Sequence, residues 1–478
     1  MRVSGETKKK VRRGAGVRAP AKGKGGSAAA KRVPAGKKAG VVTKPAARVL
    51  TKKKVHVVTM GCAKNAVDSE KLMAQLRLSD IELSPTLEGA DIAVINTCGF
   101  IGPAKEESID AIMESVKRKG KGKLEQVYAM GCLTERYRTV LAEEIPEVDG
   151  YFGSDELGAV VRTLGARYRT ELLGERVLTT PSHSAYLKIS EGCDNPCSFC
   201  AIPLMRGGHV SRPMEEIVAE AGLLASRGVR ELVIIGQDTT YYGLDRYGDR
   251  RLASLLRQVA DLPGIEWVRL MYAYPSGFPR DVLDVIADHP RVCTYMDMPV
   301  QHVSDAVLKS MRRGISRRAM LELIEAAYAR VPGIALRTTL IVGYPGEGDA
   351  EFGELLAFVK AAEFARLGVF TYSPEEGTTA HPLGDPVPAA EKDRRLGAIM
   401  EAQKAISEKR NEGFIGKRVR VLVDRIEGGQ AVGRTEYDAP EIDNEVYLAA
   451  DIPLAPGEFH EVLITDATEY DLHGRVEL

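Results

Sequence analysis

Three cysteines fall within eight residues, Cys193, Cys197 and Cys200 in EGCDNPCSFC. The spacing is CxxxCxxC. Three thiolates so close can converge on one face of an iron–sulfur cube, satisfying three irons and leaving the fourth open for a chelating ligand. A zinc site draws a fourth Cys or His, and none lies nearby in the chain. An electron carrier normally ligates every iron with protein, so an open iron points to catalysis. The competing reading, three ordinary buried or surface thiols, explains none of the spacing.

A second set, Cys62, Cys98 and Cys132, shares no local motif, since the three stand 36 and 34 residues apart. Each ends a β-branched or apolar run: VHVVTMGC, AVINTC and QVYAMGC. In a parallel sheet such ends share one rim, where ligands gather. Three thiols at equivalent rim positions predict a second cluster, again with an open iron. Cysteine is also common in buried strands, which accounts for one such position better than for three. Cys293, alone inside a predicted strand, reads as core.

The elements that must carry these cysteines follow from the hydrophobic period. From Val55, short strands alternate with helical segments such as DSEKLMAQLRL, AKEESIDAIMESVKRK and TERYRTVLAEEI, which predicts a parallel α/β sheet. Residues 166–185 read as a linker. A second series follows, with strands AYLKIS, ELVIIGQD, EWVRLMYAY, TYMDMPVQ, ALRTTLIVGY and RLGVFTYS, and predicts a full or partial (β/α) barrel. After a charged helix the period becomes two. KRVRVLVDRI, QAVGRT, EVYLA and HEVLITDATEY predict a small all-β barrel. The expected domains are 1–53, 54–168, 180–411 and 413–478.

Charge divides the chain unevenly. Residues 1–54 hold eighteen Lys/Arg and one acid, so the remaining residues carry the opposite balance, −17. The basic segment is poor in apolar residues and is expected to be disordered. It reads either as a nucleic-acid or ribosome tether or as a dispensable extension; Gly and Pro argue against a transit helix. No apolar run approaches the roughly 18 residues of a membrane span, and no signal-peptide core is present. A cytoplasmic protein with no membrane partner is expected.

The motifs together resemble the methylthiotransferase family of radical S-adenosylmethionine (SAM) enzymes. TMGCAKNAVDSE, INTCGFIGPAKEESID and YAMGCLTERY resemble that family's first domain, and SEGCDNPCSFCAIPLMRGGHVSRP its radical SAM motif. PVQHVSDAVLKSMRR, IVGYPGE and TYSPEEGT resemble its later barrel blocks, and the C-terminal barrel its TRAM domain. The resemblance spans about residues 54–478. It implies two 4Fe–4S clusters, an auxiliary one on Cys62, Cys98 and Cys132 and a radical SAM one on Cys193, Cys197 and Cys200. SAM would serve as methyl donor and radical source. Phe199 would lie beside the adenosyl group, with Gly236, Gln237, Asp238, Ile341 and Gly343 as further SAM contacts. Arg206, Arg212, Lys309, Arg312, Arg313 and His302 lie in or near these blocks without an assigned role. An electron donor is also implied.

Within the family, GCAKNAVDSE and GQDTTYYG are similar to the branch that methylthiolates the β-carbon of an aspartate in the twelfth small-subunit ribosomal protein. The tRNA-adenosine branch carries Gln-Met where this chain has Ala63-Lys64. Residues 413–478 hold 14 acids and 6 bases. An acidic module repels tRNA and attracts a basic ribosomal protein, so no stable tRNA binding is expected. A tRNA methylthiotransferase is the alternative, and a non-catalytic iron–sulfur RNA-binding protein a remote one.

Overall fold

The computed structural model describes residues 53–477 apart from Glu171 and Leu173. The expected basic tail lies outside the described residues but for Lys53.

The first sheet is parallel throughout. Its strand order is Glu82–Leu83, Lys54–Thr59, Ile92–Thr97, Gln126–Gly131, Gly150–Tyr151. Ile92–Thr97 is buried along its whole length, because helices cover both faces. Ile92 and Val94 pack into one apolar layer and Ala93 and Ile95 into the other, the two-residue alternation of a pleated strand. The edge strand Glu82–Leu83 was not legible in the sequence; two residues are too few to show a period.

Six parallel strands form the central sheet, ordered Arg366–Thr371, Ala335–Val342, Val292–Asp297, Trp267–Leu270, Glu231–Ile235, Ser184–Lys188. The two outer strands do not pair with each other, so the (β/α) barrel is partial. Leu232 and Ile234 face the outer helices, while Val233 and Ile235 face inward.

The C-terminal barrel is closed, with five strands: Arg418–Glu427, Gln430–Thr435, Val446–Ala449, Leu472–Val476 and Phe459–Ala467. Leu472–Val476 is a strand the sequence pattern did not separate from the preceding one. It closes the barrel by pairing with both Phe459–Ala467 and Val446–Ala449. Gly428 and Gly429, both at positive φ, make the two-residue hairpin between Glu427 and Gln430.

Different domains cover the two ends of the central sheet. At the N-terminal ends of the strands, Glu231 pairs with Arg434, Arg366 with Asp438, and Trp267 packs edge-on against Phe459. Ala439 and Leu422 of the small barrel join the sheet's inner core. At the C-terminal ends, Lys188 pairs with Asp68 of the first domain, and Glu375 with Lys105 and Arg136. The first domain thus covers the mouth where this class of sheet gathers its ligands. No helix among the described residues is long and apolar enough to cross a membrane.

These contacts revise the charge reading of the small barrel. Asp438 and Asp443 are buried against Arg366 and Arg337 of the central domain, and Asp424 against the barrel's own Arg434. Part of the acidity counted in the sequence is therefore neutralised internally and does not act outward.

Candidate active site

Cys62, Cys98 and Cys132 follow three strands that are direct neighbours in the first sheet. Cys62 is the N-cap of helix Ala63–Arg77 and Cys132 opens helix Cys132–Glu144. Gly61 makes the approach of the first two possible. Its φ is +89°, and a Cβ there would lie 2.6 Å from the Cys98 Cβ and 2.9 Å from its Sγ. Asn65 ties the loops together, donating to the carbonyls of Met60 (2.8 Å) and Thr97 (3.1 Å). All three thiols are free. Burial pushes Cys132 up to about 11, partly offset by Arg206, and raises Cys98 as well; charge on Cys62 would raise both further.

Cys193, Cys197 and Cys200 sit on a loop that follows the short strand Ser190–Glu191. The loop is clamped by backbone bonds from Ser198 N–H to Met311 O (2.9 Å) and from Ala380 N–H to Ser198 O (2.7 Å). Its thiols stay free. Asn195 donates to Cys193 Sγ at 3.4 Å and Arg313 to Cys197 Sγ at 3.3 Å. Burial pushes Cys193 up to about 11 and Cys200 up to about 12.

Both triads suit an anionic iron–sulfur group. Each offers three free thiols, with a guanidinium donating to one sulfur. Among the described residues no three His, Cys, Asp or Glu side chains converge at the spacing of a single metal ion. A four-iron cube takes each thiolate on a separate iron and so accommodates wider spacing.

The expected SAM contacts divide between two sides of the cysteine loop. Phe199 and Ile341 pack together on Val307, Met311, Tyr344 and Tyr372. On the other side, Asp238 accepts from Asn195 at 2.8 Å. Gln237 donates to Glu191 at 2.7 Å and keeps its buried Oε1 unpartnered. A Cβ on Gly236 would stand 2.7 Å from Ser190 Oγ, which is likewise buried and unpartnered. Gly343, at φ +74°, donates its N–H to Glu347 Oε1 (3.0 Å), so that N–H is already used within the protein.

The unassigned charged residues separate by position. Arg206 and Arg313 reach thiols. Arg212 pairs with Glu220 and the Lys188 carbonyl. Lys309 and Arg312 are exposed. His302 is buried; Ser304 N–H donates to its Nδ1, which leaves Nε2 facing Glu347 at 3.3 Å.

Arg206 ties the central domain to the first triad. It ends the short helix Ile202–Arg206, just after the cysteine loop. Its Nε donates to Cys132 Sγ at 3.1 Å, its Nη1 to Asp68 at 2.7 Å and Glu191 at 3.2 Å, and its Nη2 to Asn65 at 2.5 Å. Cys132 also packs against Ala201 and Met205. Burial would raise the Asp68 carboxyl, but Lys188 and Arg206 outweigh it and hold it at about 2. The sequence pattern left Arg206 unassigned, because its partner sulfur is 74 residues away. Removing the guanidinium in R206M leaves Lys188 as the one cation paired with Asp68 and Glu191 among the described residues. An expected destabilisation of about 3 kcal/mol, partly recovered in R206K, is checked by urea unfolding of the metal-free protein. A loss within about 0.5 kcal/mol would show that the network is not holding the domains together.

Sequence families match three segments of the chain: an uncharacterized protein family, UPF0004, over residues 54–153; the radical SAM superfamily over 187–359; and the TRAM domain over 415–476. The chain is 52% identical over 428 residues to the ribosomal protein uS12 methylthiotransferase RimO of Cytophaga hutchinsonii, covering 89% of this chain and 98% of that protein. It is 51% identical to the protein of the same name from Chloroherpeton thalassium, covering 89% and 99%. Among solved structures, the radical SAM methyltransferase TsrM of Kitasatospora setae, with cobalamin and a [4Fe-4S] cluster bound, shares the fold. Its TM-score is 0.50 at 14% identity, over 69% of this chain and 77% of that one.

Proposed function

The chain belongs to the ribosomal protein uS12 methylthiotransferase family of radical SAM enzymes, and we propose that it transfers a methylthio group to the β-carbon of an aspartate in uS12. The observation that carries this reading is the reach of Arg206, which stands just after one free cysteine triad in the chain, to Cys132 of the other. A donor of sulfur and a generator of radicals must act on the same carbon, so their sites must share a cavity.

The β-hydrogen of an aspartate side chain is scarcely acidic, and acid–base groups alone cannot replace it by sulfur. SAM and the 4Fe–4S clusters, when bound, supply the one-electron chemistry. Cys193, Cys197 and Cys200 would hold the cluster that engages SAM, and Cys62, Cys98 and Cys132 the auxiliary cluster bearing the sulfur to be transferred. Phe199 and Ile341 would offer an apolar wall to the adenine. Asn195 holds Asp238 against the cysteine loop, and Arg313 balances charge at Cys197. Lys188, paired with Asp68 of the first domain and with Glu191 of its own, ties the two domains at their junction. An external electron donor is required. A cytoplasmic location follows from a ribosomal substrate, and the basic tail is a candidate contact to ribosomal RNA.

The test is a competition. The protein is reconstituted anaerobically and given SAM, reductant and sulfide. A uS12 peptide carrying the target aspartate and an anticodon stem-loop RNA are offered together. Mass spectrometry is expected to find one methylthio group on the peptide and none on the RNA. Modification of the RNA instead would overturn the protein-substrate reading.

A further inference from the structure

Lys64 is a buried cation with no carboxylate or hydrogen-bond partner among the described residues, and the Cys62 thiol beside it is assigned to the auxiliary cluster. The residue is 7% exposed. Among the described residues, its one close partner is the ring of Tyr272, with the ammonium 3.0 Å from the ring centroid. A buried ammonium normally pairs with a carboxylate or hydrogen-bonds to oxygen. The nearby acids are committed elsewhere: Asp297 to Arg337 at 2.9 Å, and Glu191 to Lys188 at 2.8 Å.

Its position gives the missing partner a meaning. Lys64 lies two residues from Cys62, in the first turn of helix Ala63–Arg77. Tyr272 lies two residues beyond the barrel strand Trp267–Leu270. The ammonium therefore stands between the auxiliary cysteines and the C-terminal mouth of the central sheet. Tyr272 is held there at φ +59°, a conformation unfavourable for an aromatic residue. Its backbone is pinned on both sides, with its N–H donated to Asp297 (3.1 Å) and its carbonyl accepting from Thr239 N–H (3.1 Å). The strain is thus imposed by the surroundings, and it presents the ring face to Lys64.

We propose that Lys64 binds the carboxylate of the side chain to be modified, and so selects an acidic residue as substrate. This rests on the aspartate reading above. The β-carbon is bonded directly to the carboxyl carbon, so an ion pair there fixes the reacting carbon to within one bond of a held group. A nucleobase, which has no carboxylate, offers the same ammonium no ion pair.

Peptide binding tests the proposal. Full-length protein with both clusters reconstituted is titrated with a labelled uS12 peptide carrying the target aspartate, and with the same peptide carrying asparagine there. Wild type is expected to bind the aspartate peptide about thirtyfold more tightly. K64M is expected to bind both peptides with the same weak affinity, and K64R to restore the preference. Titration with SAM alone separates the two possible carboxylates. Equal affinity of the wild type for the two peptides overturns the proposal without recourse to any variant. A K64M protein that keeps the wild-type preference overturns it too, as does one that loses SAM affinity while keeping that for the aspartate peptide. Methylthiolation of the peptide by wild type is scored separately: product with equal affinities sinks the Lys64 assignment alone, whereas absence of product sinks the wider reading.

Discussion

Alanine at Cys193, Cys197 or Cys200 is expected to abolish both methylthio transfer and SAM cleavage, whereas alanine at Cys62, Cys98 or Cys132 abolishes transfer alone. The two triads sit on different domains and are clamped independently. The first is held by Asn65 and Gly61, the second by backbone bonds from Ser198 to Met311 and Ala380. Loss of one sulfur therefore leaves the other triad in place. Each variant should retain about half the wild-type iron, since each triad is assigned one four-iron group. Cys293 is the internal control. It is buried with Tyr295 and Trp267 near the start of strand Val292–Asp297, the end of the central sheet opposite its mouth, so C293A should keep full iron and full product. The measurements are iron content, 5′-deoxyadenosine formed under reductant, and methylthiolated peptide. A C62A, C98A or C132A protein that still forms product would remove the auxiliary triad from the mechanism.

Replacing Arg176 by methionine is expected to destabilise the protein by about 3–5 kcal/mol, because it strands buried carboxylates. The Arg176 side chain is fully buried, as are those of Glu70 and Glu220. It donates to Glu70 at 2.6 and 2.9 Å, to Glu220 at 2.9 Å and to the Tyr186 carbonyl at 2.5 Å. Glu70 comes from the first domain and Glu220 from helix Met214–Ser226 of the central one. A single linker side chain thus pairs with a carboxylate from each of the two domains. In R176M, Glu220 keeps Arg212 at 2.7 Å, whereas Glu70 keeps only its bonds from Thr179.

Acid should reveal the same network. Burial would raise the Glu220 carboxyl, but Arg212, Lys71 and Arg176 hold it down at about 2. A depressed carboxyl contributes stability that is present above its ordinary value of 4.5 and lost as pH falls toward 2. Removing Arg176 raises the folded value, so R176M should unfold at higher pH than wild type. Urea unfolding at pH 7 and acid titration followed by circular dichroism check both effects. A variant that matches wild type in both would mean the charges are solvated and the linker is passive. E70Q added to R176M should recover part of the loss, because a neutral amide costs less to bury than an unpaired carboxylate.

The linker shows what a hydrophobic pattern leaves out. Residues 166–185 have no period, and between Thr163 and Ser184 the described residues form no helix or strand. Yet Arg176 there is among the most committed side chains in the molecule. The small barrel shows a related shortfall. Its acids were counted as outward charge, but Asp438 and Asp443 point into the central domain. A count of charges carries no information about which of them have partners.

What the amino-acid sequence determined by itself was local. Cys193, Cys197 and Cys200 lie within one short loop, so chain connectivity alone brings them together. The apolar runs that make the strands, and the strand-end positions of Cys62, Cys98 and Cys132, follow from neighbours a few residues apart. Only the tertiary structure decided which distant groups meet. Strands Lys54–Thr59, Ile92–Thr97 and Gln126–Gly131 became neighbours, Arg206 reached Cys132, Arg176 found Glu70, and Lys64 came to lie on Tyr272. Such pairs join residues dozens to hundreds of positions apart and leave no period in the sequence. They form because a buried charge must find a partner within a few ångströms, and packing of the domains settles which one is near.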